Sequence, residues 1–128
     1  MSDDLYRQEI LEHYRHPQNY GKLKKFSLQA HKPNPLCGDE ITLQLLAGKD
    51  GRISQAAFTG SGCALSIASA SIFTQSLRGK SPSQLRRIKP EQAIRLLGVA
   101  VSPARRKCAL LPFEALQNIL NQSNPLLR

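Results

Sequence analysis

The sequence has no tryptophan, and only 5% of its 128 residues are aromatic. Proteins that bind single-stranded nucleic acid stack aromatic side chains on the bases, so this composition argues against such a role. No apolar run approaches the roughly 18 residues that a membrane-spanning helix needs. The amino terminus is acidic and amphipathic, whereas a secretory signal starts basic and continues into an apolar stretch. These absences predict a cytoplasmic protein that binds neither nucleic acid nor a membrane.

Cysteine is scarce, and its count is odd: Cys37, Cys63 and Cys108 are the three. A disulfide framework uses an even number of cysteines in an oxidising compartment, so reduced thiols are favoured here. No two cysteines have the close spacing of a zinc finger, so a shared site requires convergence from three distant segments. Each cysteine taken singly is also explained as a small buried apolar residue.

The contexts of the three cysteines favour a shared site. Cys37 stands two residues before Asp39, and residues i and i+2 of an extended chain point to the same side. Cys63 follows a Gly-Ser-Gly turn at the start of a predicted helix, and Cys108 lies at the start of another. Unpaired N–H groups at a helix start favour a thiolate anion. The pattern predicts soft-metal binding or sulfur chemistry at these four residues.

The apolar pattern predicts an α+β fold, in which a small three-stranded antiparallel sheet packs against several helices in a single domain over 1–128. Ile41, Leu43 and Leu45 alternate onto one strand face, and Pro112 is placed in the first turn of the last helix, where a proline costs little. Ile53 and Phe58 fall on opposite faces of the predicted third strand, which either a bulge or a strand buried on both faces would explain. The predicted elements are a helix over 3–16, strands over 26–31, 41–45 and 52–59 with a turn at 49–51, a helix over 63–77, short helices from Ser81 and over 90–97, and a last helix from Cys108 or Ala109.

Positive charge is concentrated in one part of the chain. Residues 78–107 contain nine lysines and arginines and one acid, Glu91, which is a net charge of +8 within a chain of net charge +9. Such a surface steers a protein toward an acidic partner or a polyanion. A solvated basic face without a dedicated partner is the alternative.

Nearly the whole chain, over 3–121, resembles the iron–sulfur cluster scaffold proteins of the IscU, SufU and NifU N-terminal type. The motifs that carry the resemblance lie in the family's order. They are the opening helix with Tyr6-Arg7 and His13-Tyr14, the His16-Pro17-Gln18-Asn19-Tyr20-Gly21 turn, and three ligand segments at Asn34 to Asp39, Gly60 to Ser71, and Cys108-Ala109 with Leu116.

The resemblance implies a scaffold that takes sulfur from a cysteine desulfurase, takes iron, builds a transient [2Fe–2S] cluster and passes it to downstream iron–sulfur acceptor proteins. It assigns Cys37, Asp39, Cys63 and Cys108 as ligands of the cluster, or of Zn²⁺ or iron when no cluster is present. Cys108 and Cys37 are the candidate sulfur acceptors. The resemblance leaves the oligomeric state open, with a homo-oligomer among the options.

Two features depart from the IscU-type pattern. Lys107 stands where those members carry a histidine, and residues 101–106 lack the Leu-Pro-Pro-Val-Lys motif that an Hsp70-type chaperone reads. Release driven by that chaperone is therefore doubtful, and both features lean toward SufU-type members. However, only 44 residues separate Cys63 from Cys108, so the insertion typical of SufU is missing. Lys107 either acts on the neighbouring thiol or a bound persulfide, or is an ordinary surface lysine.

Three functions remain in view. The first is a non-enzymatic scaffold and sulfur acceptor. The second is a zinc-bound sulfurtransferase partner of a cysteine desulfurase, in which one thiol leaves the metal to accept sulfur. The third is a basic nucleic-acid binder with a structural metal, which the lack of aromatic residues within 78–107 disfavours.

Overall fold

A computed structural model describes residues 3–35, 38–122 and 124–125. The sheet has three antiparallel strands in the order β1-β2-β3, and helices pack against it, which confirms the predicted α+β fold. The elements are α1 (Asp3–Arg15), β1 (Leu28–Asn34), β2 (Asp39–Ala47), β3 (Ile53–Ser61), α2 (Ala64–Leu77), α3 (Pro82–Arg86), α4 (Pro90–Arg95), a 3₁₀ turn (Pro103–Arg105) and α5 (Arg106–Leu120).

The main core lies between one face of the sheet and two long helices. Ile41, Leu43 and Leu45 of β2 are fully buried, as their alternation predicts. They share a cluster with Phe73 of α2 and Leu116 of α5. The two helices therefore lie on the same side of the sheet, and their amino-terminal ends lie near one end of β2.

Of the two explanations for Ile53 and Phe58, the structure has the bulge in β3. Leu46 pairs with Gln55 while Ala47 pairs with Ile53, so Ser54 is an extra residue on β3. Its hydroxyl donates to the carbonyl of Leu46 at 3.0 Å. In a regular strand Ile53 and Phe58 would lie on opposite faces. Because of the extra residue, both are buried in the core. The β2–β3 turn closes at Gly48, whose N–H donates to the carbonyl of Arg52 at 2.8 Å.

The first strand lies further along the chain than predicted. It runs from Leu28 to Asn34, not from Phe26 to His31, because its pairing with β2 continues to the Asn34–Asp39 pair. Pro33 does not stop it, since β1 is an edge strand and one side of its backbone needs no sheet partner.

The third strand also exceeds its predicted end. It continues through Gly60 to Ser61, and Gly60 pairs with Ile41. A Cβ at position 60 would lie 2.1 Å from the carbonyl oxygen of Glu40, so only glycine allows this approach. The Gly-Ser-Gly segment thus first completes the sheet and then turns into α2.

The last helix begins at Arg106, two residues before the predicted start, so the placement of Pro112 in its first turn is wrong. Pro112 is the seventh residue of α5, and it has no N–H to donate to the carbonyl of Cys108. Pro112 is fully buried, and its neighbour Phe113 packs edge-on against Phe73. Burial of this apolar face outweighs the lost hydrogen bond.

Two short helices connect α2 to α5. Ser81 caps α3 with a reciprocal bond to Gln84, and Pro82 opens the helix, as predicted. Glu91 of α4 forms an ion pair with Arg106 at the start of α5. None of the helices in the described part of the chain is both long enough and apolar enough to cross a membrane.

Candidate metal centre

The first candidate ligand, Asp39, is held at the closed end of the β1–β2 hairpin. It pairs with Asn34 across the two strands, and the N–H of Gly38 donates to the carbonyl of Asn34 at 2.9 Å. The Asp39 side chain is buried, with a relative exposure of 6%. A carboxylate is rarely so buried without a charged or hydrogen-bonding partner.

The second candidate, Cys63, is the N-cap residue of α2 and has an extended backbone. Ser66, one turn further along, donates its hydroxyl to the carbonyl of Cys63 at 3.0 Å. The same hydroxyl lies 3.7 Å from the Cys63 sulfur. The thiol is half-buried and makes no capping hydrogen bond to the backbone of α2.

The third candidate, Cys108, is the third residue of α5 and is half-buried. The next residue, Ala109, is fully buried and accepts a hydrogen bond on its carbonyl from the Ser69 hydroxyl at 2.6 Å. Cys108 therefore lies in the first turn of its helix, where the sequence places it. The two cysteine-bearing helices are joined through Ser69, directly beside the cysteine.

The three side chains meet. One carboxylate oxygen of Asp39 and the sulfurs of Cys63 and Cys108 all lie within 4.8 Å of one another. Neither cysteine is in a disulfide. Asp39 and Cys63 are 24 positions apart in the sequence and Cys108 is 45 further on, so the cluster exists only through the fold.

The surroundings fit a cation among these three groups. The Oδ2 atom of Asp39 is buried and has no hydrogen-bond partner among the residues that the structure describes. Leaving a buried carboxylate oxygen unpaired costs free energy that a bound cation would recover. Thiolate sulfur with one carboxylate oxygen is a donor set that suits Zn²⁺, iron and iron–sulfur clusters.

Gly62 makes room for the cluster. A Cβ at this position would lie 2.4 Å from the Ser66 hydroxyl and 2.9 Å from the carboxylate carbon of Asp39. Both distances are far below van der Waals contact, so any side chain here would displace the carboxylate or Ser66. The residue before Cys63 must therefore be glycine for Asp39 to reach the two sulfurs.

The two thiols pack against a small apolar cluster. Leu65, Leu97 and Ala109 are buried in it, and Cys63 and Cys108 pack against it. An apolar shell limits the access of water to a metal site and lowers the local dielectric constant. The two sulfurs thus lie at the boundary between this cluster and the solvent.

Cys37, the fourth predicted ligand, lies outside the described residues. The described ends of its loop are Pro35 and Gly38, and Gly38 is joined directly to Asp39. Its participation as a ligand or as a sulfur acceptor remains a prediction.

Lys107 is exposed, in contrast to its neighbour Cys108. Successive residues of an α-helix point about 100° apart, so the ammonium group and the sulfur diverge. Lys107 lies with Lys32, Pro35 and Glu114 around a small cavity of about 50 Å³. Both interpretations of this lysine remain open.

Sequence reasoning missed the polar contacts of α2. The sequence pattern assigned no polar contacts to the serines of α2 and no partner to His13. Ser71 is fully buried, hydrogen-bonds the Nδ1 atom of His13 at 2.7 Å and accepts the backbone N–H of Gln18 at 2.7 Å. Ser69 bonds to α5 as described above. No spacing signal links residues 58 positions apart, so these contacts could be found only from the fold.

The fold and the centre place the protein in the class of small α+β proteins with a candidate thiolate and carboxylate metal site. The chain belongs to the family of NifU-like N-terminal domains, whose family model matches residues 5–123. This confirms the resemblance seen in the sequence.

Among curated proteins, the chain is 36% identical over 132 aligned residues to the zinc-dependent sulfurtransferase SufU of Bacillus subtilis, covering 90% of this chain and 88% of that protein. It is 32% identical over 120 aligned residues to the iron–sulfur cluster assembly scaffold protein IscU of Rickettsia prowazekii, covering 88% of this chain and 86% of that protein.

Solved structures show the same fold. FiSufU of Fervidobacterium islandicum AW-1, a candidate iron–sulfur cluster assembly scaffold of the SUF system, superposes with a TM-score of 0.75 at 25% identity and covers 93% of this chain and 98% of that chain. A NifU-like N-terminal protein from Brucella abortus gives a TM-score of 0.71 at 26% identity and covers 92% of this chain and 93% of that chain.

Proposed function

We propose that this chain acts in iron–sulfur cluster assembly as a non-enzymatic scaffold, on which a transient [2Fe–2S] cluster is built and from which it passes to an acceptor protein. The proposed ligands are Cys37, Asp39, Cys63 and Cys108. The observation that carries the proposal is a buried oxygen of Asp39 that has no hydrogen-bond partner among the described residues, in a carboxylate beside two thiols from distant segments. The names of the IscU and SufU relatives support the same role.

The mixed ligand set suits a carrier. Iron–sulfur clusters are usually held by four cysteine thiolates, and a carboxylate is a harder ligand than a thiolate. Replacing one thiolate by the Asp39 carboxylate should therefore weaken the hold on the cluster. Weaker holding helps a protein that must release its cargo.

The proposed sulfur donor is the persulfide of a cysteine desulfurase. The thiolate of Cys108 or Cys37 attacks the outer persulfide sulfur, a new S–S bond forms, the donor's S–S bond breaks, and the desulfurase cysteine leaves as a thiolate. Conversion of the transferred sulfur into cluster sulfide consumes two electrons, which an external thiol reductant would supply. Exposed positive charge on residues 78–107 is suited to an acidic face on the desulfurase.

A second function has its own support. The SufU relative is named as a zinc-dependent sulfurtransferase, and this chain has Lys107, which offers no metal ligand, immediately before Cys108. The same four residues would hold Zn²⁺, which keeps coordinated sulfurs deprotonated. In this alternative the chain accepts sulfur from the desulfurase and never holds a cluster.

One experiment separates the two. The protein is purified without oxygen, its metal content is measured, and it is then incubated with iron, cysteine, a thiol reductant and a cysteine desulfurase. Visible charge-transfer absorbance that is lost in Cys63→Ser and Cys108→Ser supports the scaffold. About one zinc per chain, no colour, and desulfurase turnover raised by the wild type but not by Cys108→Ser support the sulfurtransferase. Neither colour nor raised turnover, with a folded protein, rejects both.

A further inference from the structure

A cavity of about 320 Å³ lies between α2, α3 and α4. Phe73, Ile88 and Ala93 supply apolar lining, and the exposed side chain of Leu96 stands at its edge. The volume is at the lower end of the range for small-ligand sites and can admit one large apolar side chain. The proposed function uses the charge of residues 78–107 but gives no role to the cavity itself.

Its polar lining carries positive charge. Lys80 and Arg87 line the cavity, and no described lining residue is acidic. The single acid of residues 78–107, Glu91, is exposed and paired with Arg106. The charge of the cavity wall is therefore not neutralised by an acidic residue of its own segment. An occupant that brings carboxylates would complement it.

Leu96 is available for binding because folding does not use it. It keeps 46% of its surface exposed, whereas its neighbours Ile94 and Leu97 pack into the apolar cluster beneath Cys63 and Cys108. α4 and the turn after it thus place Ile94 and Leu97 toward the metal centre and Leu96 at the cavity. Exposed apolar groups next to a pocket rimmed by charge are typical of protein interaction sites.

We propose that this cavity is a docking site for an acidic polypeptide segment that inserts one large apolar side chain between Phe73 and Leu96. The occupant is a polypeptide because the charge extends past the cavity: Arg86 and Lys89 are exposed on α3 and on the link from α3 to α4. A small molecule within the cavity would not reach them both. Nucleic acid is disfavoured because residues 78–107 contain no aromatic side chain for base stacking.

The test uses the full chain and a fluorescein-labelled peptide with one leucine between runs of glutamate, followed by fluorescence anisotropy. A second peptide with alanine in place of the leucine should bind about tenfold more weakly, because the anchor is lost. Arg87→Gln should weaken binding about fivefold, since it removes a charge at the cavity. Arg95→Gln, on the same short segment but not lining the cavity, should weaken it less than about twofold.

Leu96→Gln tests the apolar edge, and Leu11→Gln is its control because Leu11 is an equally exposed leucine on α1. We expect about fivefold weaker peptide binding for Leu96→Gln and unchanged peptide binding for Leu11→Gln. Equal effects of Arg87→Gln and Arg95→Gln, equal binding of the two peptides, or full displacement by a duplex oligonucleotide of matching charge would overturn the proposal. Zinc content is measured in each variant and should not change. The peptide-binding result therefore tests the docking proposal, and the zinc result tests the proposed metal function, independently of each other.

Discussion

Ser69 of α2 donates its hydroxyl to the carbonyl of Ala109 in α5 at 2.6 Å, and both residues are buried. Since α2 is capped by Cys63 and α5 contains Cys108 in its first turn, this bond joins the two helices that carry the candidate thiols. The spacing of the two sulfurs therefore depends in part on this hydroxyl group, which holds the two helices together.

Ser69→Ala should lower the free energy of unfolding by about 1 to 3 kcal/mol, because it leaves the buried Ala109 carbonyl without this donor. It should also weaken zinc binding by letting the two thiols separate. Urea unfolding and competition with a zinc chelator measure the two effects. Ser76→Ala is the control, since the Ser76 hydroxyl donates to the carbonyl of Phe73 within the same helix and not to α5 in the described part of the chain. Equal losses in the two variants would contradict the role given to Ser69.

Asp39→Asn should change metal binding and stability in opposite directions. The amide is a poorer metal ligand than the carboxylate, so zinc affinity should fall at least about tenfold. The metal-free protein should become more stable by about 1 to 3 kcal/mol, because the substitution removes the charge from a buried group whose Oδ2 has no hydrogen-bond partner among the described residues. Chelator competition and urea unfolding in a metal chelator give the two values. Glu40→Gln, a substitution of the neighbouring exposed residue, should alter neither zinc affinity nor stability. A metal-free Asp39→Asn protein that is less stable than the wild type would show that the buried carboxylate does not destabilise the metal-free fold.

Gly62→Ala should abolish tight metal binding, since its Cβ would displace Asp39 or Ser66. Overpacking of this kind typically costs about 1 to 3 kcal/mol of stability. Gly48→Ala is the control, because its closest contact is the flexible, exposed side chain of Asp50 at 3.2 Å. Calorimetric titration with Zn²⁺ should show binding in the control and at least a tenfold loss in Gly62→Ala. Unchanged zinc affinity in Gly62→Ala would mean that Asp39 is not a ligand.

Glu91 should titrate below an ordinary glutamate. The hydrogen bond and the charge of Arg106 lower the pKa of its carboxyl, against a small opposing effect of desolvation. A pKa lowered by folding stabilises the protein above the unfolded-state value, and that contribution is lost as the pH falls through the folded-state pKa. Carbon-detected NMR should give a low midpoint for Glu91 that rises toward the ordinary value in Arg106→Gln, with the charge of Arg95 still lowering the pKa, and stays low in Arg105→Gln. Identical midpoints in the wild type and Arg106→Gln would disprove the pair.

Much of the fold could be predicted because the local sequence pattern agreed with the packing that the tertiary structure requires. The alternation of Ile41, Leu43 and Leu45 predicted a half-buried strand, and the opposite faces of Ile53 and Phe58 indicated a bulge or a two-sided strand, of which the fold has the bulge, at Ser54. Ser81 followed by proline predicted the capped helix. In each of these cases the residues that carry the signal lie close together in the sequence.

Errors arose where packing between distant segments overrode a local rule. Pro112 was placed in a first turn because a proline destabilises a helix interior, yet its burial with Phe113 offsets that cost and α5 begins two residues earlier than predicted. The His13–Ser71 bond left no trace in the sequence at all. Asp39, Cys63 and Cys108 were grouped from motif chemistry, while their distances and the role of Gly62 required the fold.

X-ray absorption at the zinc edge of the zinc-loaded protein tests the central claim most directly. One ion held by Cys37, Asp39, Cys63 and Cys108 predicts three sulfur neighbours at about 2.3 Å and one oxygen at about 2.0–2.2 Å. Cys63→Ser and Cys108→Ser should each lose one sulfur neighbour, and Asp39→Asn should keep all three. An unchanged sulfur count in either cysteine variant would show that these thiols do not share one metal ion.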